Sequence, residues 1–175
     1  RAMLLFMLYK LVANGEFVSE FSSEKICYFL QRFGAKEHFK LDYKPNFYGP
    51  YSGKVKYVIN YLNGSYIMGY SSMDKKPFET LDLVSDGFEK VEGYILSKPE
   101  LVEIVNRTEL FLDGFYSEFA LELLSTVDYI SLNKDTFDLE IIKSELEGWS
   151  ERKRTLFSND RFLNISINHL KEHFG

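Results

Sequence analysis

The sequence predicts a mainly α fold with a small β-sheet (α+β), built as a single helical domain with room for winged-helix-like elements. Three observations predict it. Apolar residues recur at the i, i+3, i+4, i+7 spacing of helices through most segments. Glycine, proline and Asn-Gly punctuate those segments where helices stop. Alternation of apolar and polar residues is confined to Phe39, Leu41 and Tyr43, and to residues 80–84.

Taken in order, Leu4, Leu5, Leu8 and Leu11 place a buried helix over residues 1–14, stopped by Gly15. Ser22 is the expected N-cap of the next helix, with Phe21 and Ile26 as a hydrophobic staple. Ile26, Phe29, Leu30 and Phe33 then form its core face, and Gly34 ends it. Phe39, Leu41 and Tyr43 read as a short strand, and Lys44-Pro-Asn and Gly49-Pro50 as loop. Ser52 is expected to cap a third helix whose Val55, Val58, Ile59 and Leu62 face inward, closed by Asn63-Gly64. Residues 66–70 read as strand or frayed helix, 71–77 as loop and 80–84 as strand. Asp86 caps a helix to about Leu96, and Pro99 opens another to about Leu112. Three more helices follow near 117–131, 138–147 and 159–173. Residues 149–157 read as a short, basic, aromatic connector.

Composition narrows the function. Sixteen Phe and twelve Tyr exceed what a core of 175 residues requires, so some are expected to line a surface that meets a partner. One cysteine, Cys27, excludes an internal disulfide framework and a cysteine metal cluster. The apolar run at residues 1–9 is broken by Lys10, short of the roughly 20 residues a membrane span needs, and lacks a cleavage site. The reading is therefore a cytoplasmic protein with no membrane partner. The chain starts inside a helix, as a fragment of something longer would. Charge is unevenly placed: residues 1–73 carry nine Lys/Arg against five Asp/Glu, residues 74–148 seven against eighteen, and residues 149–175 five against three. An acidic middle is awkward on a nucleic-acid backbone and suits a basic protein partner; a merely solvated surface is the plain alternative.

Chemistry-bearing motifs are few. His169-Leu-Lys-Glu172-His173 matches an H-x-x-E-H pattern, but it lies on a last helical turn without a further ligand, so no metal is expected. His38 has no motif-bound serine, and there is no nucleophile elbow, dinucleotide fingerprint or Walker loop. These absences lead to the expectation of a protein that is not an enzyme, with no catalytic residue and no cofactor. What the sequence offers is the Tyr48-Gly-Pro-Tyr51 turn with Lys54 and Tyr57, and the connector residues Trp149 and Arg152. Each has two readings. The turn either holds a corner between hairpin and helix or presents rings to a partner, and Trp149 either anchors the connector or makes a contact.

Five segments, in order, carry a resemblance: Lys25-Ile-Cys-Tyr-Phe-Leu-Gln, Phe47-Tyr-Gly-Pro-Tyr, the stretch from Val58 to Tyr70, Phe119-Ala-Leu-Glu-Leu-Leu-Ser-Thr-Val, and Trp149-Ser-Glu-Arg-Lys-Arg-Thr-Leu-Phe. Together they resemble the C-terminal domain of the DarG antitoxins, over roughly residues 20–172. The first two are also similar to the wider SocA-like, or Panacea, antitoxin domain. The resemblance implies a partner: a DarT-type toxin, which attaches ADP-ribose to thymidine in single-stranded DNA and is bound and blocked by this domain. It further implies that residues 1–175 are a single toxin-binding domain without the N-terminal macrodomain that removes the modification, acting as a monomer or in a 1:1 complex. Direct nucleic-acid binding is not expected. Glu79, Asp82, Asp86, Glu89, Glu118 and Glu122 are the acidic residues expected to stand in for phosphates. The alternative is a winged-helix-like DNA reader, with residues 159–173 as recognition helix.

Overall fold

A computed structural model describes residues 1–70 and 76–175, and the contacts of the chain cluster in two compact units. The first comprises Arg1–Tyr43 and Ser52–Tyr116; the second comprises Lys44–Tyr51 and Ser117–Gly175. The structure is mainly helical with two small two-stranded antiparallel sheets, which bears out the α+β prediction. No helix among the described residues is long and apolar enough to cross a membrane.

In the first unit, α1 (Ala2–Ala13) is apolar almost all round, and every residue from Met3 to Tyr9 is buried, so it forms the centre of the core. Helix α2 (Glu20–Leu30) begins one turn earlier than the sequence suggests. Ser19, not Ser22, is its N-cap: Ser22 N–H donates to Ser19 Oγ at 3.1 Å, and Ser19 N–H donates to Ser22 Oγ at 2.8 Å. The reason is tertiary, because Ser19 is held extended in a bridge to Thr80. A π-type turn at Gln31–Ala35 then breaks the axis at Gly34, whose φ of 116° suits glycine.

The strand expected at Phe39, Leu41 and Tyr43 does not form. One helical turn, α3 (Lys36–Phe39), comes first, and Gln31 occupies both backbone groups of Leu41, donating to its carbonyl at 2.8 Å and accepting from its N–H at 3.0 Å. A side-chain amide has replaced the strand partner. Helix α4 (Val55–Leu62) starts after Lys54 rather than under a Ser52 cap: the Ser52 hydroxyl donates to Glu24 and accepts from Lys54 N–H at 3.3 Å, ahead of the first helical turn. Val55, Ile59 and Leu62 are buried and Val58 half-buried.

Strands β3 (Ile67–Met68) and β4 (Asp82–Leu83) pair antiparallel, which selects strand over frayed helix there. Residues 71–75 of the expected 71–77 loop lie outside the described residues. Helix α5 (Phe88–Leu96) is entered through a 3-10 turn, Ser85–Gly87, so its N-cap is Gly87 and not Asp86. At Gly87 a Cβ would come within 2.3 Å of Tyr9 Oη, and Tyr9 Oη donates to the Val84 carbonyl at 2.5 Å. Helix α6 (Pro99–Leu112) opens on Pro99 as the sequence indicates. Phe29 and Phe33 each meet Phe111, with ring centroids 5.2 Å apart.

In the second unit, residues predicted as loop form a hairpin of β1 (Lys44–Asn46) and β2 (Gly49–Tyr51), registered Lys44↔Tyr51, Pro45↔Pro50 and Asn46↔Gly49. Helix α7 (Glu118–Lys134) is capped by Ser117, α8 (Leu139–Trp149) by Asp138 and α10 (Asp160–Phe174) by Asn159. The predicted connector is itself a helix, α9 (Glu151–Leu156), because Ser150 accepts from Lys153 N–H and caps it. Leu124, Val127, Ile142, Phe157, Leu163 and Leu170 fill this core.

Candidate functional site

The hairpin is short. Its central pair, Pro45 opposite Pro50, falls at the non-hydrogen-bonded position of the ladder, where a missing N–H costs nothing, so only the pairs Lys44↔Tyr51 and Asn46↔Gly49 are left to hold it. Gly49, at φ 99°, lets the two-residue tip Phe47–Tyr48 close. The rest of the support comes from α7, α8 and α9. Trp149 Nε1 donates to the Asn46 carbonyl at 2.9 Å, and Tyr129 meets the Trp149 ring edge-on at 5.8 Å. The Arg152 guanidinium lies 4.9 Å from the Tyr48 ring centre and 5.3 Å from that of Phe47, and the two tip rings meet edge-to-face at 4.8 Å.

Beneath the tip is a buried ionic triad. Glu122 of α7, 2% exposed, accepts from Lys153 Nζ and from both Arg152 Nη atoms, the Nη2 bond being 3.0 Å. Lys153 is fully buried, beside the rings of Trp149 and Phe157. Burial pushes its amine below the ordinary lysine value, an effect that the Glu122 carboxylate partly offsets. The triad orients Arg152, Arg152 backs the two rings, and Trp149 ties down the strand. This is a rigid support for an exposed aromatic tip.

Of the residues singled out from sequence, Tyr48, Glu122, Trp149 and Arg152 are thus brought together. Tyr51 ends β2 and is half-buried, and Glu118 is exposed at the first turn of α7. Lys54 and Tyr57 are exposed at the start of α4 in the first unit, as are Glu79, Asp82, Asp86 and Glu89 on the stretch from just before β4 into the first turn of α5. Glu122 departs from its expected role as a surface carboxylate, because it is buried and already paired with two cations. Sequence reasoning missed Phe47, Lys153, Asn46 and Tyr129 as members of the cluster. The tetrad Asn46-Phe-Tyr-Gly49 is a legible turn signal for the tip; nothing local announces a pair 31 residues apart, such as Glu122 and Lys153.

Among the described residues, two other features have a shape or donor set that a ligand could use. In the first unit a cleft of about 690 Å³ between α1, α4 and α5 is lined by Tyr61, Tyr66, Tyr94, His38 and Lys90 among apolar side chains. On α10, His169, Glu172 and His173 bring possible ligand atoms within 4.8 Å of one another, and His173 Nδ1 is 2.9 Å from the His169 carbonyl.

Fold and site define a mostly helical protein that presents a buttressed aromatic turn. No protein-family model matches the chain. It is similar to a DNA ADP-ribosyl glycohydrolase of Thermus aquaticus, 28% identical over 155 residues, covering 89% of this chain and 42% of that protein. Proteins of the same name from Mycobacterium tuberculosis and Mycobacterium bovis are 21% identical over 149 residues, covering 82% of this chain and 42% of theirs. The chain therefore spans less than half the length of the curated relatives it matches. These relatives correct one expectation. The sequence was read as that of a protein that is not an enzyme, yet the proteins matching 82–89% of it are named for a hydrolase activity. Scarcity of catalytic motifs is no argument against a hydrolase, because a motif search recognises only reaction sites with short local signatures.

Proposed function

We propose that the protein works in a DNA ADP-ribosylation system as a DarG-type glycohydrolase and antitoxin, and that residues 1–175 carry the surface that holds a DarT-type toxin. The observation that carries this reading is the similarity across 89% of the chain to a protein named DNA ADP-ribosyl glycohydrolase. The five ordered segments that resemble DarG support the antitoxin half of it. On this reading the 175 residues act as a single toxin-binding domain and form a 1:1 complex.

The mode of holding is electrostatic and steric. A toxin that grips single-stranded DNA needs a basic groove with stacking surfaces. Glu79, Asp82, Asp86 and Glu89 are four exposed carboxylates within eleven residues of chain, and Glu118 adds a fifth in the second unit. They occupy the groove in place of phosphates. Glu122 leaves this set because its charge is internal.

The test is charge reversal to Lys at Glu79, Asp82, Asp86, Glu89 and Glu118, with binding to the toxin followed by stopped flow at low and high salt. The expected result is association slowed roughly 10-fold or more at low salt, converging with the unmodified protein at high salt. Unchanged rates at low salt would rule out the phosphate-mimic mode. A toxin that stays fully active when saturated with the protein would overturn the antitoxin reading itself.

A further inference from the structure

The geometry points to Phe47 as the anchor residue of the toxin-binding surface, entering an apolar recess on the partner protein whose rim offers hydrogen-bond acceptors to Arg152; this inference rests on the toxin-binding reading above. The argument begins with exposure. Phe47 is 54% exposed at the tip, between exposed Asn46 and half-buried Tyr48, while Gly49 and Pro50 of the returning strand are buried. Exposure alone is ordinary for a surface apolar residue, so the weight of the argument falls on how this ring is held.

Rigidity is the second part. Phe47 N–H is held by Asn46 Oδ1 at 2.6 Å, the Asn46 carbonyl by Trp149, and the ring by Tyr48 and the Arg152 guanidinium. A ring fixed before contact loses little conformational freedom on binding, which is the property of an interface anchor. The buried triad holds Arg152, whose guanidinium lies 5.3 Å from the centre of this ring.

The choice of partner follows from charge. A nucleic-acid strand needs clustered cations for its phosphates. Here the two cations of the cluster, Arg152 and Lys153, are taken up by Glu122, and Lys153 is fully buried. Arg152 keeps 29% of its side chain exposed and directs two of its N–H groups to Glu122, so its remaining edge meets acceptors at a rim. That combination suits a protein recess.

The experiment measures binding of the full chain to a catalytically inactive DarT-type toxin from the same organism by surface plasmon resonance, with melting curves for every variant. Phe47→Ala is expected to lower affinity at least about 10-fold, chiefly through faster dissociation, at an unchanged melting temperature. Phe47→Trp, which retains a ring, is expected to bind within about 3-fold of the unmodified protein. Phe47→Leu, which keeps bulk without a ring, lies between them and remains decisive if the alanine variant melts early. Alanine and leucine variants that bind as tightly as the unmodified protein overturn the anchor role while leaving toxin binding intact. If the unmodified protein itself fails to bind, the underlying reading falls, and the anchor with it. A Phe47→Ala variant that binds toxin normally but loses a single-stranded oligothymidine overturns the choice of partner.

Discussion

Removing the carboxylate of Glu122 should unfold the second unit far more readily than its position on one helix suggests. In Glu122→Ala, Lys153 is left either to hold an unpaired charge or to give up its proton in a place where it is 0% exposed and faces the rings of Trp149 and Phe157. Breaking a buried pair by deleting one partner costs about 3–5 kcal/mol, because the other charge is left without compensation. Arg152 adds little to that figure, since its side chain is 29% exposed and can turn to water. At roughly 2–4 °C per kcal/mol for a chain of this size, the melting temperature should fall by about 6–20 °C. Trp149 is the only tryptophan and belongs to the same cluster, so its emission during urea titration reports directly on the affected region. The double variant Glu122→Ala with Lys153→Met removes both charges and should return to within about 1–2 kcal/mol of the unmodified protein, since apolar replacement of a buried pair is close to neutral. A Glu122→Ala protein within about 0.5 kcal/mol of the original, or a double variant as unstable as the single, would refute the buried triad as the support of this unit.

Glu24 supplies a pH signature. Its carboxylate is 2% exposed and accepts from Ser52 Oγ at 3.2 Å and Gly53 N–H at 3.3 Å; burial raises its pKa above the ordinary 4.5, and those hydrogen bonds only partly offset the rise. The folded state therefore binds the proton more readily than the unfolded one, so stability declines as pH climbs from 4.5 through the raised value. Melting temperatures of the unmodified protein minus those of Glu24→Gln should shrink between pH 4.5 and 7; a difference that stays level or grows would contradict the assignment. Gly87→Ala tests the seam between α1 and α5, because the new Cβ meets Tyr9 Oη at 2.3 Å and Tyr66 Cδ1 at 2.8 Å. It should cost about 1–3 kcal/mol by urea titration, and Tyr9→Phe in the same chain should relieve only the part due to the hydroxyl, since the Tyr66 contact remains.

Most helices were legible because their signals are local. Leu4, Leu5, Leu8 and Leu11 mark α1, Pro99 opens α6 and Gly34 carries the break after α2, each through a preference that acts within a turn or two. Errors fall where a distant group won. Thr80 pulls Ser19 into extended form and moves the start of α2, Gln31 takes the backbone of Leu41 and cancels a strand, and Glu24 holds Ser52 just ahead of α4. The candidate site divides in the same way. Tyr48, Trp149 and Arg152 stood out by type, whereas their convergence and the burial of Glu122 depend on α7, α9 and the hairpin packing together.

By itself, then, the order of residues determined the helical character, the approximate helix limits and an aromatic surplus that calls for a surface, because periodicity, caps and composition act locally. Tertiary structure decided which carboxylate is outside and which is inside. Glu118 and Glu122 are one helical turn apart on α7, yet one is exposed and the other is enclosed by Arg152 and Lys153. A charge in a chain has no side until the fold provides neighbours, and the cost of burying it is met only by partners that arrive from elsewhere in the sequence.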